Sequence, residues 1–576
     1  MRLIRLSSNM NSFHTVEFKD GLNLIIGKQA NPGDKNLDRT YNGVGKSLLI
    51  YILHFCLGSN KITPFEEKIP GWEFILEFSI DGELYTSVRN TSNQSKIFLN
   101  GEKLTLAKFR SIMLEKVFGI TEKINNLTFN TLFPRFIRRD RESYVTYDTF
   151  IKKEQEYSKV LNNSFLLGLE TELVTEKQRL RTLIRQTKDL KTNIEEDPII
   201  REHFNNNEDT EIEILDLEDN IERLKNEISE FKIAANYQEL EKEADEKHYL
   251  LKELENKRTL INNSIKHITK SLEIKPDLSE KKVINLYNQA NIEVPEMIVK
   301  RMEEAINFQK NLLKNRNKRL VNEKIKNQDK LKEIEALTEE VGKGLDKVLR
   351  YLDTHGALED YNALNKKLND MQTKLERLNQ YQEILRTYKK KLKDVQSDFS
   401  VRNNETDNYL ENIQGLLEEI MAIFRELSKA FYEKKPGGIK VINNEGDNTI
   451  RFDILAKIQD DSSDGVNEVK IFCFDMTILL LRQNHKFEFI FHDSRLFGNM
   501  DPRQRYSLFK VAYDKVNREG LQYIASINED IIFSFKDLMT EDEYNKIIEE
   551  STRLVLTDES DKSKLLGIQV DMDYNK

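Results

Sequence analysis

Asn42-Gly43-Val44-Gly45-Lys46-Ser47 is the stretch whose reading decides the fold. A loop that cradles phosphates needs backbone N–H groups free to turn inward, which calls for glycines. It also needs a lysine for the β- and γ-phosphates and a hydroxyl for Mg²⁺. The hexapeptide offers all three: Lys46 for the phosphates, Ser47 for the metal, and Asn42, Gly43, Val44, Gly45 and the following Leu48 around them. Upstream, Leu22-Asn23-Leu24-Ile25-Ile26 reads as a short buried strand ending at Gly27, and Ser47 to Leu57 reads as an apolar helix. The strict G-x-x-x-x-G-K-S spacing is not met, because Thr40 holds the first glycine position. Gly27 stands at the strand end where that glycine usually sits. Lys28 to Tyr41 then reads as an inserted loop, carrying Lys28, Lys35 and Arg39, that could cover a nucleotide. A surface Gly-Lys-Ser met by chance is the plain alternative; the strand before it and the helix after it argue against that.

A phosphate loop needs a carboxylate at the end of another apolar strand to hold the magnesium shell. Phe487-Glu488-Phe489-Ile490-Phe491-His492-Asp493 fits, with Asp493 as that ligand beside Ser47. The position after it, normally a Glu that orients the attacking water, is Ser494, which has neither the charge nor the pKa of a general base. Glu529 and Asp530 are candidate substitutes. Ser462-Ser463-Asp464-Gly465 precedes an apolar helix, Val466 to Leu481, and reads as a degenerate signature in which Ser463 and Gly465 face a nucleotide on an opposite subunit. An ordinary helix cap is the alternative. Asp501 sits where a loop aspartate would approach that subunit, and Asn528, closing the strand Tyr523 to Ile527, stands where a switch histidine is usual.

Between these ends the texture is different. Leu173, Leu180, Leu183, Thr187, Leu190 and Ile194 follow spacings of three, four and seven. The pattern resumes at Ile214, Leu217, Ile221, Leu224, Ile228 and Phe231, again from Leu251 to Ile268, and again from Tyr361 to Leu378. Such spacing places the residues on one coiled-coil seam. The stretch Lys275 to Val299, with Pro276 and Pro295, is the expected turn. Interruptions at Pro198 and His355-Gly356 predict a jointed arm, each side on the order of 100 Å long if the tracts pair antiparallel. A bundle of shorter helices is the alternative. The expected domains are an N-terminal lobe at 1–165, a first coil at 166–270, a turn at 271–300, a second coil at 301–433 and a C-terminal lobe at 434–576. Strand and helix alternate in that last lobe, and hairpins across Asp81-Gly82 and Asn100-Gly101 are expected in the first.

Composition agrees with long exposed helix: 32% charged residues and 38% hydrophobic, with only 9 Pro and 22 Gly. Against disorder stand 30 Phe and 20 Tyr. A net charge of −9 gives no global field for nucleic acid. Cys56 and Cys473 read as buried thiols in a reducing compartment, and no apolar run reaches membrane-spanning length, so the expectation is a cytoplasmic chain without a membrane partner.

The order of these features resembles the SMC and RecN group of ABC ATPases over essentially the whole chain. It implies an α/β ABC-type ATPase head assembled from N- and C-terminal lobes, with a long antiparallel α-helical coiled-coil arm inserted between them. Gly465-Val466-Asn467-Glu468, Ile471 to Asp475, His492-Asp493-Ser494, Gln522-Tyr523-Ile524 and Asn528-Glu529-Asp530 resemble, more narrowly, a short-armed bacterial branch with a C-terminal domain of unknown function. That branch occurs in multi-gene defence operons, including three-component ABC systems. The resemblance implies ATP and Mg²⁺ as cofactors, a homodimer closed head to head around ATP, operon-encoded effector and accessory subunits, and sensing of DNA. Arg135, Arg138, Arg139 and Arg141, interleaved with Phe133, Phe136 and Tyr144, are the candidate DNA contacts; pairing with acidic neighbours is the alternative reading. Ser494 and Asn528 leave open a second function, a coiled-coil scaffold or nucleotide switch that turns over weakly or not at all.

Overall fold

The computed structural model describes residues 1–30, 43–196, 210–230, 237–273, 295–352, 358–434, 437–458, 464–570 and 572. Asn42, Ser463, most of the insert after Gly27, the breaks at Pro198 and His355-Gly356, and most of the expected turn lie outside them. The chain divides into two compact units. One is Met1–Thr182, Tyr287–Lys300 and Ser397–Lys576; the other is Leu183–Leu286 and Arg301–Gln396.

The first unit holds two large sheets. Strands β1 (Arg2–Ser8), β2 (Val16–Glu17), β4 (Glu73–Ile80), β5 (Glu83–Asn90), β6 (Lys96–Leu99) and β7 (Glu102–Thr105) form an antiparallel sheet in the order β2-β1-β4-β5-β6-β7. Alternate residues of β4 are buried, as a sheet with one packed face requires. Asp81, Gly82, Asn100 and Gly101 all take positive φ, so both expected hairpins close through the left-handed turns that suit strand twist.

The second sheet is parallel, in the order β10-β11-β3-β12. Its strands are β3 (Gly21–Lys28), β10 (Phe489–His492), β11 (Gln522–Asn528) and β12 (Thr552–Thr557). Seven consecutive residues of β3 are buried, which fits a strand covered on both faces. Because β3 comes from the start of the chain and its neighbours from the end, neither terminus completes this sheet alone. Helix α1 (Lys46–Cys56) lies between the sheets, against β3, β4, β5 and β11; the helix Pro502–Glu519 packs on β3 and β11. A separate two-stranded ribbon pairs β8 (Gly437–Asn443) with β9 (Phe452–Ile458).

The second unit is helical. The helix Thr210–Glu230 runs antiparallel to Leu358–Asn412: Ile214 and Leu217 bury against Leu378, and Glu213 pairs with Lys374 at 2.5 Å. Tyr237–Glu273 runs antiparallel to Pro295–Leu352. Ala244 packs on Leu345 and Val348, and, further along, Asn327 donates to the Ser264 hydroxyl at 3.1 Å. Pro295 opens its helix, where the missing N–H costs nothing. Residue numbers in the two pairs add to nearly the same total, as in one antiparallel coil. Yet Tyr237–Glu273 also lies beside Leu358–Asn412 in the same direction, with Lys252 donating to Gln372 at 2.6 Å and Asn369 bonded to His248. The coil is therefore jointed, and its second half is folded back on its first. Of the predicted seam residues, Leu173, Leu180, Thr187, Ile214, Leu217, Ile221, Leu224, Leu254, Ile268 and Leu378 are buried, whereas Leu190 is exposed and is not part of the seam.

Candidate functional site

Gly43 and Gly45 carry φ of 92° and 112°, values that a residue with a Cβ adopts only with strain. Their turn delivers Lys46 and Ser47 to the start of α1. A Cβ at Gly45 would strike Leu565, whose backbone N–H donates to the Val44 carbonyl at 3.0 Å, so the C-terminal segment braces the loop. Lys46 is only 7% exposed. Its ammonium group occupies the space that a Cβ on Gly27 would fill, which explains a glycine at the end of a strand otherwise rich in β-branched and leucine side chains. Burial lowers the Lys46 pKa to about 8, against the pull of Asp493 and Asp530.

Asp493, 1% exposed, lies just past β10. Its Oδ2 accepts from Ser47 Oγ at 3.2 Å, its Oδ1 from Ser526 Oγ at 2.7 Å, and Arg495 approaches at 3.6 Å. Its backbone N–H donates to the Tyr144 hydroxyl at 2.8 Å. The two magnesium-ligand candidates, 446 residues apart in sequence, thus meet directly. Behind them a fully buried network joins both ends of the chain. Arg138 holds Asp475 through both carboxylate oxygens, and Asp475 also bonds His492 Nε2 at 2.8 Å. His492 Nδ1 in turn meets the Tyr523 hydroxyl at 2.9 Å. Burial lowers the His492 pKa, and with both ring nitrogens engaged by Tyr523 and Asp475 it is a residue of the core.

The remaining predicted residues separate. Ser494 places its hydroxyl 3.5 Å from Asp493 Oδ1. Asn528 lies in register with Gly27 across β11 and β3, and Leu48 lies in the first turn of α1. Gly465 opens the helix Asp464–Leu481, and a Cβ there would crowd Gln504 and the Asn499 carbonyl. Asp501 caps the helix Pro502–Glu519, accepting from the Arg503 and Gln504 N–H groups at 2.8 and 2.9 Å. Glu529 is engaged by Lys28 at 2.7 Å.

The arginine run requires correction. Arg135 and Arg138 are 1% and 0% exposed. Arg135 pairs with Glu154 at 2.8 Å and bonds Asn163, and Arg138 is the partner of Asp475. A buried guanidinium already satisfied by carboxylates cannot reach a phosphate backbone, so neither is a DNA contact. Arg139 is paired with Asp140 and stacks over Tyr51, while Arg141 is exposed. The sequence alone did not assign Tyr144, Ser526 and Asp475 to the site or to the network behind it. Asp475 left a signal, the one carboxylate in the apolar run Ile471 to Leu481, which requires a buried partner. Ser526 left a weaker one, its place two residues before Asn528 on the same strand face.

The residues fit Mg²⁺ and a nucleoside triphosphate: a hydroxyl and a buried carboxylate side by side, a lysine at a positive-φ glycine loop, and an Asn528 Oδ1 enclosed without a hydrogen-bond partner among the described residues. Fold and site together define an α/β head of the phosphate-loop class, built from both ends of the chain around an inserted coiled coil. A bacterial family described as an uncharacterised protein conserved in bacteria (DUF2326) matches residues 427–570. No curated protein matches the chain. Among solved structures, the chain is similar to an Smc head domain with a coiled coil and joint derived from Pyrococcus yayanosii. That likeness has 15% identity over 93% of each chain and a TM-score of 0.36. It is also similar to an Smc head domain with an extended coiled coil from Pyrococcus furiosus, bound to the C-terminal domain of ScpA. Here identity is 11% over 93% of this chain and 91% of that one, with a TM-score of 0.32.

Proposed function

We propose that the chain is an SMC-like, ATP-binding subunit that hydrolyses ATP and closes as a homodimer, head to head, around two nucleotides. The observation that carries the reading is the meeting of Ser47 and Asp493 at 3.2 Å beside the buried Lys46. Ser47 and Asp493 would hold Mg²⁺, which neutralises the phosphates and polarises the γ-group when bound. Lys46 would meet the β- and γ-phosphates, the amides of Gly43 to Ser47 would line them, and Gly465 with Ser463 would reach the nucleotide of the second copy. The resemblance to a defence-operon branch supports a place in a multi-subunit complex that controls an effector, with DNA sensed through surfaces that include Arg141.

Light scattering with ATP and Mg²⁺ tests this: the wild type should move from monomer to dimer and Lys46→Ala should stay monomeric. A wild type that stays monomeric at saturating Mg²⁺-ATP overturns the sandwich. One observation favours a second reading, a nucleotide switch with slow turnover: the residue beside Asp493 is a serine, whose hydroxyl stands 3.5 Å from that carboxylate. Steady-state ATPase rates with and without DNA and partner subunits separate the two.

A further inference from the structure

The residue after Asp493 supplies no carboxylate, so the attacking water must be oriented by something else. Strand β11 places one candidate where it is needed. Side chains two apart on a strand share a face, and laterally paired residues share it too. Ser526 of β11 reaches Asp493 at 2.7 Å, so Asn528, two residues on, lies on the same face at the strand's C-terminal end. Its lateral partner is Gly27, whose Cβ position is taken by the Lys46 ammonium. Asn528 thus lies one strand over from Gly27, on the sheet face that carries the Lys46 ammonium.

Two further facts concern its amide. Asn528 is the N-cap residue of the helix Glu529–Phe535, where asparagine is favoured because its side chain can bond the helix N–H groups, yet it forms no such bond. Its Oδ1 is nevertheless enclosed and has no hydrogen-bond partner among the described residues. A buried amide oxygen left unpaired while a cap is within reach is a costly arrangement, of the kind found where a group is held ready for a ligand. The nearby alternative, Glu529, is committed to Lys28.

We infer that Asn528 is the catalytic residue that positions the attacking water, its Oδ1 accepting a hydrogen bond from the water while its Nδ2 donates to a γ-phosphate oxygen. This rests on the nucleotide reading above. The water oxygen bonds to the γ-phosphorus, the bond from that phosphorus to the β–γ bridging oxygen breaks, and ADP leaves with the electron pair. Asn528 takes no proton; the water's proton passes to a γ-phosphate oxygen. The amide acts by orientation, the part an uncharged glutamine plays in other phosphate-loop hydrolases.

Three full-length variants, Asn528→Ala, Asp530→Asn and Lys46→Ala, are compared in nucleotide affinity, single-turnover rate and binding of ADP with orthovanadate. Asn528→Ala should hold ATP within about threefold of wild type, lose about 100-fold or more in rate, and lose the vanadate complex, a split expected of a group that acts on the transition state. It should also accumulate as the ATP-bound dimer. Three results overturn the inference while leaving the nucleotide site standing: turnover and vanadate binding unchanged in Asn528→Ala, their loss in Asp530→Asn alone, or a wild type that binds ATP and never hydrolyses it. A wild type that binds no ATP, or a Lys46→Ala that binds it normally, overturns the nucleotide reading itself.

Discussion

Arg138 and Asp475 form an ion pair wholly removed from water, and His492 and Tyr523 extend it toward the site. Breaking such a pair from one side leaves a charge stranded, a loss of about 3–5 kcal/mol, whereas replacing both partners by apolar groups is close to neutral. Arg138→Leu should therefore lower the denaturation midpoint sharply, and Arg138→Leu with Asp475→Leu should recover the part due to the stranded charge but not the bonds lost by His492 and by the carbonyls that Arg138 also holds. Equal losses in the two variants would mean that the pair is not the source of the stability. The arginine run illustrates where a sequence misleads at this scale. Four arginines among aromatic residues look the same whether they face water or the core. Only the positions of Glu154 and Asp475, the latter 337 residues from Arg138, decide between those readings. Lys46, Ser47 and Asp493 were legible because their chemistry demands fixed residue types at the ends of recognisable strands and loops.

Strand β3 ends where backbone and side chain come closest. Gly27→Ala places a methyl group where the Lys46 ammonium sits, so the lysine must move or β3 must shift. The expected result is a folded head, judged by circular dichroism, whose nucleotide affinity falls by more than about tenfold, the equivalent of 1.4 kcal/mol. Unchanged affinity would show that Lys46 has another route to the phosphates. Among elements, the buried strands and glycine-turn hairpins could be read because continuous apolar runs and Asp-Gly or Asn-Gly pairs have few other uses. The coil was legible as a seam but its doubling back was not. That packing is made by polar contacts, Lys252 with Gln372 and Asn369 with His248, which leave no periodic trace.

At the scale of the whole molecule, the parallel sheet is completed only when β3 meets strands drawn from the last hundred residues. Besides His492, two buried histidines sit near this junction. Burial lowers the pKa of His54 to about 3 and of His485 to about 4, and each hydrogen-bonds a backbone carbonyl. In the unfolded chain both titrate near 6.5, so below that pH the unfolded state binds more protons and stability falls as pH drops toward 4. The slope from this pair should approach 2.7 kcal/mol per pH unit at most (about 1.36 for each proton). Urea midpoints measured between pH 7 and pH 4.5 should fall steeply, and less steeply in a His54→Gln, His485→Gln variant. Identical slopes would remove the histidines as the cause.

If residues from opposite ends of the chain build one Mg²⁺-nucleotide site, calorimetric titration of ATP with and without Mg²⁺ will register both halves of it. Mg²⁺ should tighten binding to the wild type, Asp493→Asn should lose this gain, and Lys46→Ala should show no binding. Raising the pH from 7.5 to 9.5 should also weaken wild-type binding, because Lys46 with a pKa of about 8 must regain its proton to meet the phosphates. Binding by the wild type that neither variant alters would contradict the account.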